Sequence, residues 1–279
     1  MKIGIVTDSS ADIPAELAHK MGINVVPLYV RFGDDIFRER VTITDEQFYD
    51  KLINGPIHPV TIQPSPQDFV EVYKKLAAES DAIISIHISS KLSGTDNSAL
   101  LAKSMLENAC PITVIDSQFI SVSLGLIVLM AAEAAQKGKD LDEILAMVNN
   151  AIPKTQLFGL LDTLKYLLMG GRIGKAKALV GSLLGVKPIL ALKGGEVVPS
   201  AQARNRAKGI DRLLDDLKKI PDVVDIAVAH STTPDDAQKL ASQISTIVKD
   251  VPVRIVRLGT TLGVHIGPGA LFIACRQKL

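Results

Sequence analysis

Three hydroxyl-rich segments stand where apolar runs end: Thr7-Asp8-Ser9-Ser10, Ser89-Ser90-Lys91-Leu92-Ser93-Gly94-Thr95, and Asp116-Ser117. If those runs are parallel strands, the segments share one sheet edge, where ligands of such sheets usually bind. Ser93-Gly94 ahead of a helix would set a hydroxyl and free backbone N–H groups at the helix's positive end. That chemistry suits a carboxylate or a phosphate. Plain helix capping explains any one such segment equally well, whereas three on one edge favour a site. His265 is a second candidate, flanked by Gly263, Gly267 and Gly269. Glycines let backbone and imidazole approach a ligand closely; a packed loop histidine is the competing reading.

Several chemistries lack their motifs. No G-x-G-x-x-G follows the first strand, and no G-x-x-x-x-G-K-[ST] occurs anywhere, so a nucleotide site in this chain is not expected. Gly170-Gly171-Arg172-Ile173-Gly174 follows a predicted helix, whereas a phosphate-cradling loop follows a strand. Ser93, His265 and Asp8 supply the residue types of a hydrolytic triad, but no G-x-S-x-G elbow surrounds Ser93. An esterase or acyltransferase using Ser93 and His265 stays open as an alternative. His19 and His58 read as solvent-facing or loop residues, His87 sits on an apolar strand, and His230 ends another. None has a ligand at metal-site spacing, so no metal is assigned. Cys110 and Cys275 fit neither a disulfide framework nor a metal site.

Apolar residues make up 47% of the 279 and aromatics 4%, with no Trp. The mean hydropathy of +0.25 fits an aliphatic α/β core, with or without an additional apolar cavity. Leu124 to Ala132, the most apolar stretch, is too short for a bilayer, so no membrane insertion is expected. Met1 to Val6 reads as a first strand rather than a signal peptide, which makes a cytoplasmic protein the expectation. Residues 1–153 carry 12 Lys/Arg against 20 Asp/Glu, and residues 154–279 carry 19 against 10. The basic half suits an anion or an acidic partner. Its cations are spread over helices with no aromatic interleaving, which argues against nucleic acid.

The elements that would position these residues alternate at first. Ile3 to Val6, Asn24 to Val30, Ala82 to Ile88 and Ile112 to Ile115 read as strands. A helix capped by Asp12 with Pro14 in its first turn runs through His19. Another starts at Ser65-Pro66 with Asp68 in its first turn. Further helices run from Asp96 to Glu107 and up to Gly138, while the charged stretch after Val30 is left irregular. The pattern predicts a parallel sheet with helices on both faces. From Lys154 it becomes α+β: a strand through Leu160, and a helix from Thr163 to Gly170-Gly171. A hairpin follows, Val186 to Leu192 and Glu196 to Ala203 about Lys193-Gly194-Gly195. Then come a helix from Asn205 to Lys219, a strand over Val224 to Ala229, a helix from Thr233-Pro234 and a strand over Val253 to Leu258. A Gly-rich turn from Gly263 to Gly269 and an apolar tail, Ala270 to Cys275, close the chain. The change of pattern divides an N-terminal α/β domain, 1–153, from a C-terminal α+β domain, 154–279.

Six segments, in order, resemble the signatures of the DegV family. They are Thr7 to Pro14, Thr61-Ile62-Gln63-Pro64-Ser65-Pro66, Leu92-Ser93-Gly94-Thr95, Thr163 to Leu167 with Gly170-Gly171-Arg172-Ile173, Lys187-Pro188-Ile189-Leu190, and His265-Ile266-Gly267-Pro268-Gly269-Ala270. The resemblance implies two α/β domains with one long-chain fatty acid between them and its tail buried. It implies a non-catalytic role without a cofactor, as the lipid-binding subunit of a bacterial fatty-acid kinase. A separate ATP-dependent subunit would phosphorylate the carboxylate to an acyl phosphate. A fatty-acid sensor that signals through a different protein is the alternative within the same resemblance. By the same resemblance Thr61 and Ser93 hold the carboxylate with His265 nearby, and Ile62, Gly94, Thr95 and Gly267 complete the contact set. Arg172 matches a kinase-docking position, as does Arg204, with Arg206 close enough to compete for the role. Two departures stand out: Ile62, where many relatives carry Ser, and Asp96-Asn97, where a Tyr-Gln pair is common.

Overall fold

The computed structural model describes residues 1–106, 110–179 and 185–279. In chain order the first half comprises β1 (Ile3–Asp8), α1 (Ala15–Lys20), β2 (Ile23–Val26), β3 (Tyr29–Phe32), β4 (Asp35–Arg38), α2 (Asp45–Asn54) and β5 (Val60–Ile62). It continues with α3 (Pro66–Ala77), β6 (Ala82–His87), α4 (Thr95–Ser104), β7 (Ile112–Asp116), α5 (Ser121–Gln136) and α6 (Leu141–Ala151). The second half comprises β8 (Thr155–Leu160), α7 (Lys165–Met169), β9 (Lys187–Lys193), β10 (Glu196–Ala203) and α8 (Arg206–Leu217). It ends with β11 (Val223–His230), α9 (Pro234–Ile247), β12 (Val253–Arg257), α10 (Thr260–Ile266) and β13 (Leu271–Gln277).

The predicted parallel sheet is present, ordered β2-β1-β6-β7 with every pair parallel. A second sheet, β10-β9-β8-β13-β11-β12, is mixed and built entirely from residues 155–277. A third, β4-β3-β5, is a small antiparallel sheet. α5 lies between the two large sheets, touching β1 and β6 on one side and β8, β11 and β13 on the other. A helix that is apolar all round must be buried all round, and 12 of its 16 residues are. One continuous core follows, joining Ile5 and Ile86 to Leu157, Phe272 and Ala274 through Leu124 and Ile127.

Local chemistry accounts for most boundaries. Ser65 caps α3 through Asp68 with Pro66 in its first turn, as the sequence implies. The predicted strand Asn24 to Val30 is instead two strands in different sheets. Pro27 between them has no N–H to donate to a ladder, and the chain leaves the parallel sheet there. Asp12 does not cap α1, whose N-cap position is Pro14. It stands at φ 52°, and its carboxylate accepts from Ser121 Oγ, the Gly259 N–H and Arg40. The stretch left irregular after Val30 holds the end of β3, then β4, α2 and the start of β5, with α2 opened by a Thr44–Gln47 capping box. α6 is also absent from the sequence reading, as Asp140 restarts a helix straight after Gly138 through its own capping box with Glu143. Half of the expected terminal glycine turn is α10, and the turn proper is Gly267 at φ 71° and Gly269 at φ 80°. α4 ends at Ser104, and the expected limit at Glu107 lies outside the described residues.

Candidate ligand-binding site

A cavity of about 320 Å³ opens between the parallel sheet's loop edge, the small sheet and the inner face of the mixed sheet. Alternation along β8 and the hairpin β9–β10 turns Leu157, Gly159, Leu190, Leu192 and Val197 towards it. β13 adds Phe272, and α10 adds Leu262, His265 and Ile266. Polar side chains on the lining are few: Thr61, Gln63, Ser93, Arg172, Thr261 and His265. An apolar volume with a few convergent polar groups is the form of a small-molecule site.

The polar end draws on distant parts of the chain. Thr61 on β5 and His265 on α10 share a hydrogen bond, Oγ1 to Nε2, at 3.0 Å. Ser93 Oγ bonds the Thr95 hydroxyl at 2.8 Å and caps no backbone N–H. The N-cap of α4 is Gly94, with no side-chain cap, and the Asp96 carboxylate lies against the first-turn N–H groups of Asp96 and Asn97. The plain capping reading of Ser93 therefore does not hold. Gln63 Nε2 donates to the Gly94 carbonyl at 3.2 Å and to Ser98 Oγ at 3.1 Å, fixing β5 against this loop.

Burial sets the electrostatics. The His265 pKa falls to about 4 because the ring is desolvated, with the Arg172 and His58 charges adding to the effect. His265 is therefore neutral at pH 7, and the site meets a ligand with hydroxyls and imidazole rather than a salt bridge from that ring. Its Nδ1 is buried and has no hydrogen-bond partner, and His58 Nε2 is in the same condition. The ring lies so close to Gly170 that a Cβ there would stand 2.1 Å from Nδ1. Arg172 sits exposed at the mouth, donating to the Leu92 carbonyl at 3.3 Å and the Gly170 carbonyl at 2.8 Å.

Thr61, Ile62, Ser93 and His265 thus meet on one cavity, and Arg172 joins them. Gly94, Thr95 and Gly267 do not line it. Gly94 accommodates Gln63, whose Oε1 would be 2.5 Å from an added Cβ, while Thr95 is fully buried behind Ser93. Gly267 carries the Tyr166 ring, 2.2 Å from where its Cβ would be. Asp96 and Asn97 are also off the lining. Arg204 is exposed and, among the described residues, makes no side-chain hydrogen bond or ion pair. Arg206, by contrast, is tied to Asp236, Thr233 and the Gly269 carbonyl. Gln63, Thr261 and the apolar wall are absent from the sequence reading. Gln63, Leu92, Leu167, Leu190 and Ile266 left a signal, since they lie inside the segments that resemble the family's signatures.

The Ser93–His265–Asp8 triad is not assembled. Asp8 instead accepts from His87 at 3.0 Å and from the Ile88 N–H. His87 continues to Ser85 at 2.7 Å and Ser85 to Tyr73 at 2.8 Å. That row is fully buried and bolts β1 to β6. Among the described residues, no cluster of three or more His, Cys, Asp or Glu could hold a metal, and no helix is long and apolar enough to cross a membrane.

The sequence profile of the DegV family, whose members are described as uncharacterised proteins, matches residues 2–278. The chain belongs to the DegV family. A DegV domain-containing protein of Streptomyces coelicolor is 38% identical, with 99% of each chain covered. Among solved structures, a DegV family protein from Thermus thermophilus described for its fatty-acid binding superposes with a TM-score of 0.93. It is 34% identical, and both chains are covered in full. DegV of Bacillus subtilis, described as a fatty acid binding protein, superposes with a TM-score of 0.91 at 34% identity, covering 99% of this chain and 100% of its own. The mixed α/β architecture is that of these DegV proteins.

Proposed function

We propose that this DegV chain binds one long-chain fatty acid, buries its acyl tail in the cavity, and presents the carboxylate to a separate ATP-dependent kinase subunit. The observation that carries the reading is the cavity's division of labour: an apolar interior, and a polar end made by Thr61, Ser93 and a neutral His265. The description of two close structural neighbours as fatty-acid-binding proteins supports it.

Burying a palmitate-length tail contributes about 0.8 kcal/mol per CH₂, or roughly 10 kcal/mol before the costs of association. Tight binding is available from the tail alone. The head group then needs hydrogen-bond donors to replace its water, and the Thr61 and Ser93 hydroxyls supply them. A carboxylate held this way keeps its oxygens reactive towards a phosphoryl donor. Arg172 at the mouth and exposed Arg204, on the basic half of the chain, would meet an acidic surface of the kinase subunit.

Native mass spectrometry of the purified protein, followed by denaturing extraction and lipid analysis, tests the first part. One saturated or monounsaturated fatty acid per chain is expected. An empty protein that also takes up neither palmitate nor oleate overturns the reading. For the second part, Arg172→Ala is expected to retain its lipid and to lose acyl-phosphate formation with a kinase subunit. An unchanged rate moves the docking surface elsewhere.

A further inference from the structure

The acyl cavity does not end in solid core. Leu157 on β8 and Ala191 and Leu192 on β9 also line a second cavity, of about 470 Å³. On β8, Gly159 lines the first volume only, Leu157 both, and Thr155, Gln156 and Phe158 the second only. The antiparallel β9 shows the same handover, from Leu190 through Ala191 and Leu192 to Lys193. The two volumes therefore stand end to end along one strand pair, and the three shared apolar side chains are the partition. None of the polar lining residues of the first cavity reaches the second. Ala191 contributes only a methyl group, so opening the partition requires rotation of two leucine side chains.

Chemistry changes across that partition. Among the described residues, the second cavity carries the side-chain amides of Gln118, Asn149 and Gln156, and Lys193 is its only charged lining residue. Among the described residues, none of these four side chains makes a hydrogen bond or ion pair within the protein. Beyond the shared apolar side chains the lining thus gives way to amides and one cation, of which Gln118, Asn149 and Lys193 are exposed.

Building on the fatty-acid reading above, we infer that the second cavity is a subsite for the far end of the ligand. It fits the chain to hold long α,ω-dicarboxylic acids besides simple fatty acids. A second carboxylate stranded among the leucines would lose its water and gain no partner, so short diacids are rejected. Once the chain is long enough to pass the partition, that carboxylate reaches Lys193 and the amides.

The test uses delipidated protein and displacement of a fluorescent fatty acid by palmitate and by even-numbered diacids from tetradecanedioic to docosanedioic acid. Short diacids are expected to bind about a hundredfold more weakly than palmitate. The longest are expected to recover to within about tenfold, and Lys193→Ala to remove about that factor again. Lys193→Arg restores it, and palmitate binds both variants as it binds the parent protein. Weak binding by diacids of every length, or a recovery indifferent to Lys193, overturns the subsite. Should palmitate fail along with every diacid, the fatty-acid reading falls too, and that outcome differs from failure of the diacids alone.

Discussion

The two ends of α10, a helix of seven residues, differ in almost every respect. At its start, Glu39 accepts from the Thr261 N–H and hydroxyl at 2.8 Å each and from Ser9 at 2.5 Å. Asp12 accepts from the Gly259 N–H at 2.9 Å, Ser121 at 2.7 Å and Arg40 at 3.2 Å. Apart from the Thr260 hydroxyl and Arg257 Nε, the buried polar side chains there have partners among the described residues. At its other end, His265 spends one nitrogen on Thr61 and leaves the other unpaired. Buried charges left alone are expensive, so a cluster that only holds the fold is completed when the fold forms. Polar capacity left over beside a cavity is what a ligand can complete.

Breaking the finished end has the largest expected effect. Arg40→Ala leaves Asp12 and Asp45 without their shared cation and is expected to cost about 3 kcal/mol of stability. Urea unfolding that shows under about 1 kcal/mol removes the cluster from the account of what holds α10.

At the open end the loss should appear in binding instead. Thr61→Ala or Ser93→Ala is expected to weaken fatty-acid affinity by about 1–3 kcal/mol through lost charge-assisted hydrogen bonds. Both variants titrating like the parent protein sinks the head-group assignment.

Proton linkage sharpens the contrast further. Burial raises the Asp12 pKa from 3.8 to about 7, with Arg40 opposing it. Between those values the folded protein holds a proton that the unfolded chain releases. The stability Asp12 contributes is therefore full below pH 3.8 and is lost as pH rises through 7. His265 works in the opposite direction. Its pKa falls from 6.5 to about 4, so its contribution is present above pH 6.5 and is lost as pH falls through 4. Each can tilt stability by up to about 1.4 kcal/mol per pH unit inside its window. Asp12→Asn and His265→Gln are expected to bend the stability–pH curve of the parent protein in opposite senses. Parallel curves for the two variants remove the distinction between the ends of the helix.

How much of this the sequence discloses depends on whether the cause is local. Ser65-Pro66 with Asp68, the hairpin about Lys193-Gly194-Gly195, and the alternation that makes the parallel sheet are visible because caps, turns and periodicity act within a few residues. The helices α2 and α6 are just as local in cause, since Thr44 with Gln47 and Asp140 with Glu143 carry the same capping signature. Asp12 is different in kind. Beside Pro14 it looks like a cap, and only Ser121, Gly259 and Arg40, brought from three other segments, make it the buried carboxylate of a network.

By itself the sequence determined the family, the strand–helix alternation and the residue types of the head-group end, because ordered motifs and local stereochemistry are written in neighbouring residues. Tertiary structure alone decided that Thr61 and His265, 204 positions apart, stand 3.0 Å from each other. It also decided that Gly94, Thr95 and Gly267 back the site rather than line it, and that Arg206 is engaged while Arg204, among the described residues, makes no side-chain hydrogen bond or ion pair. The physical reason is that a cavity is the space several elements fail to fill. Its shape, its polarity and the pKa of the histidine at its end depend on how strands from the two halves pack around α5 and α10, which no short stretch of sequence contains.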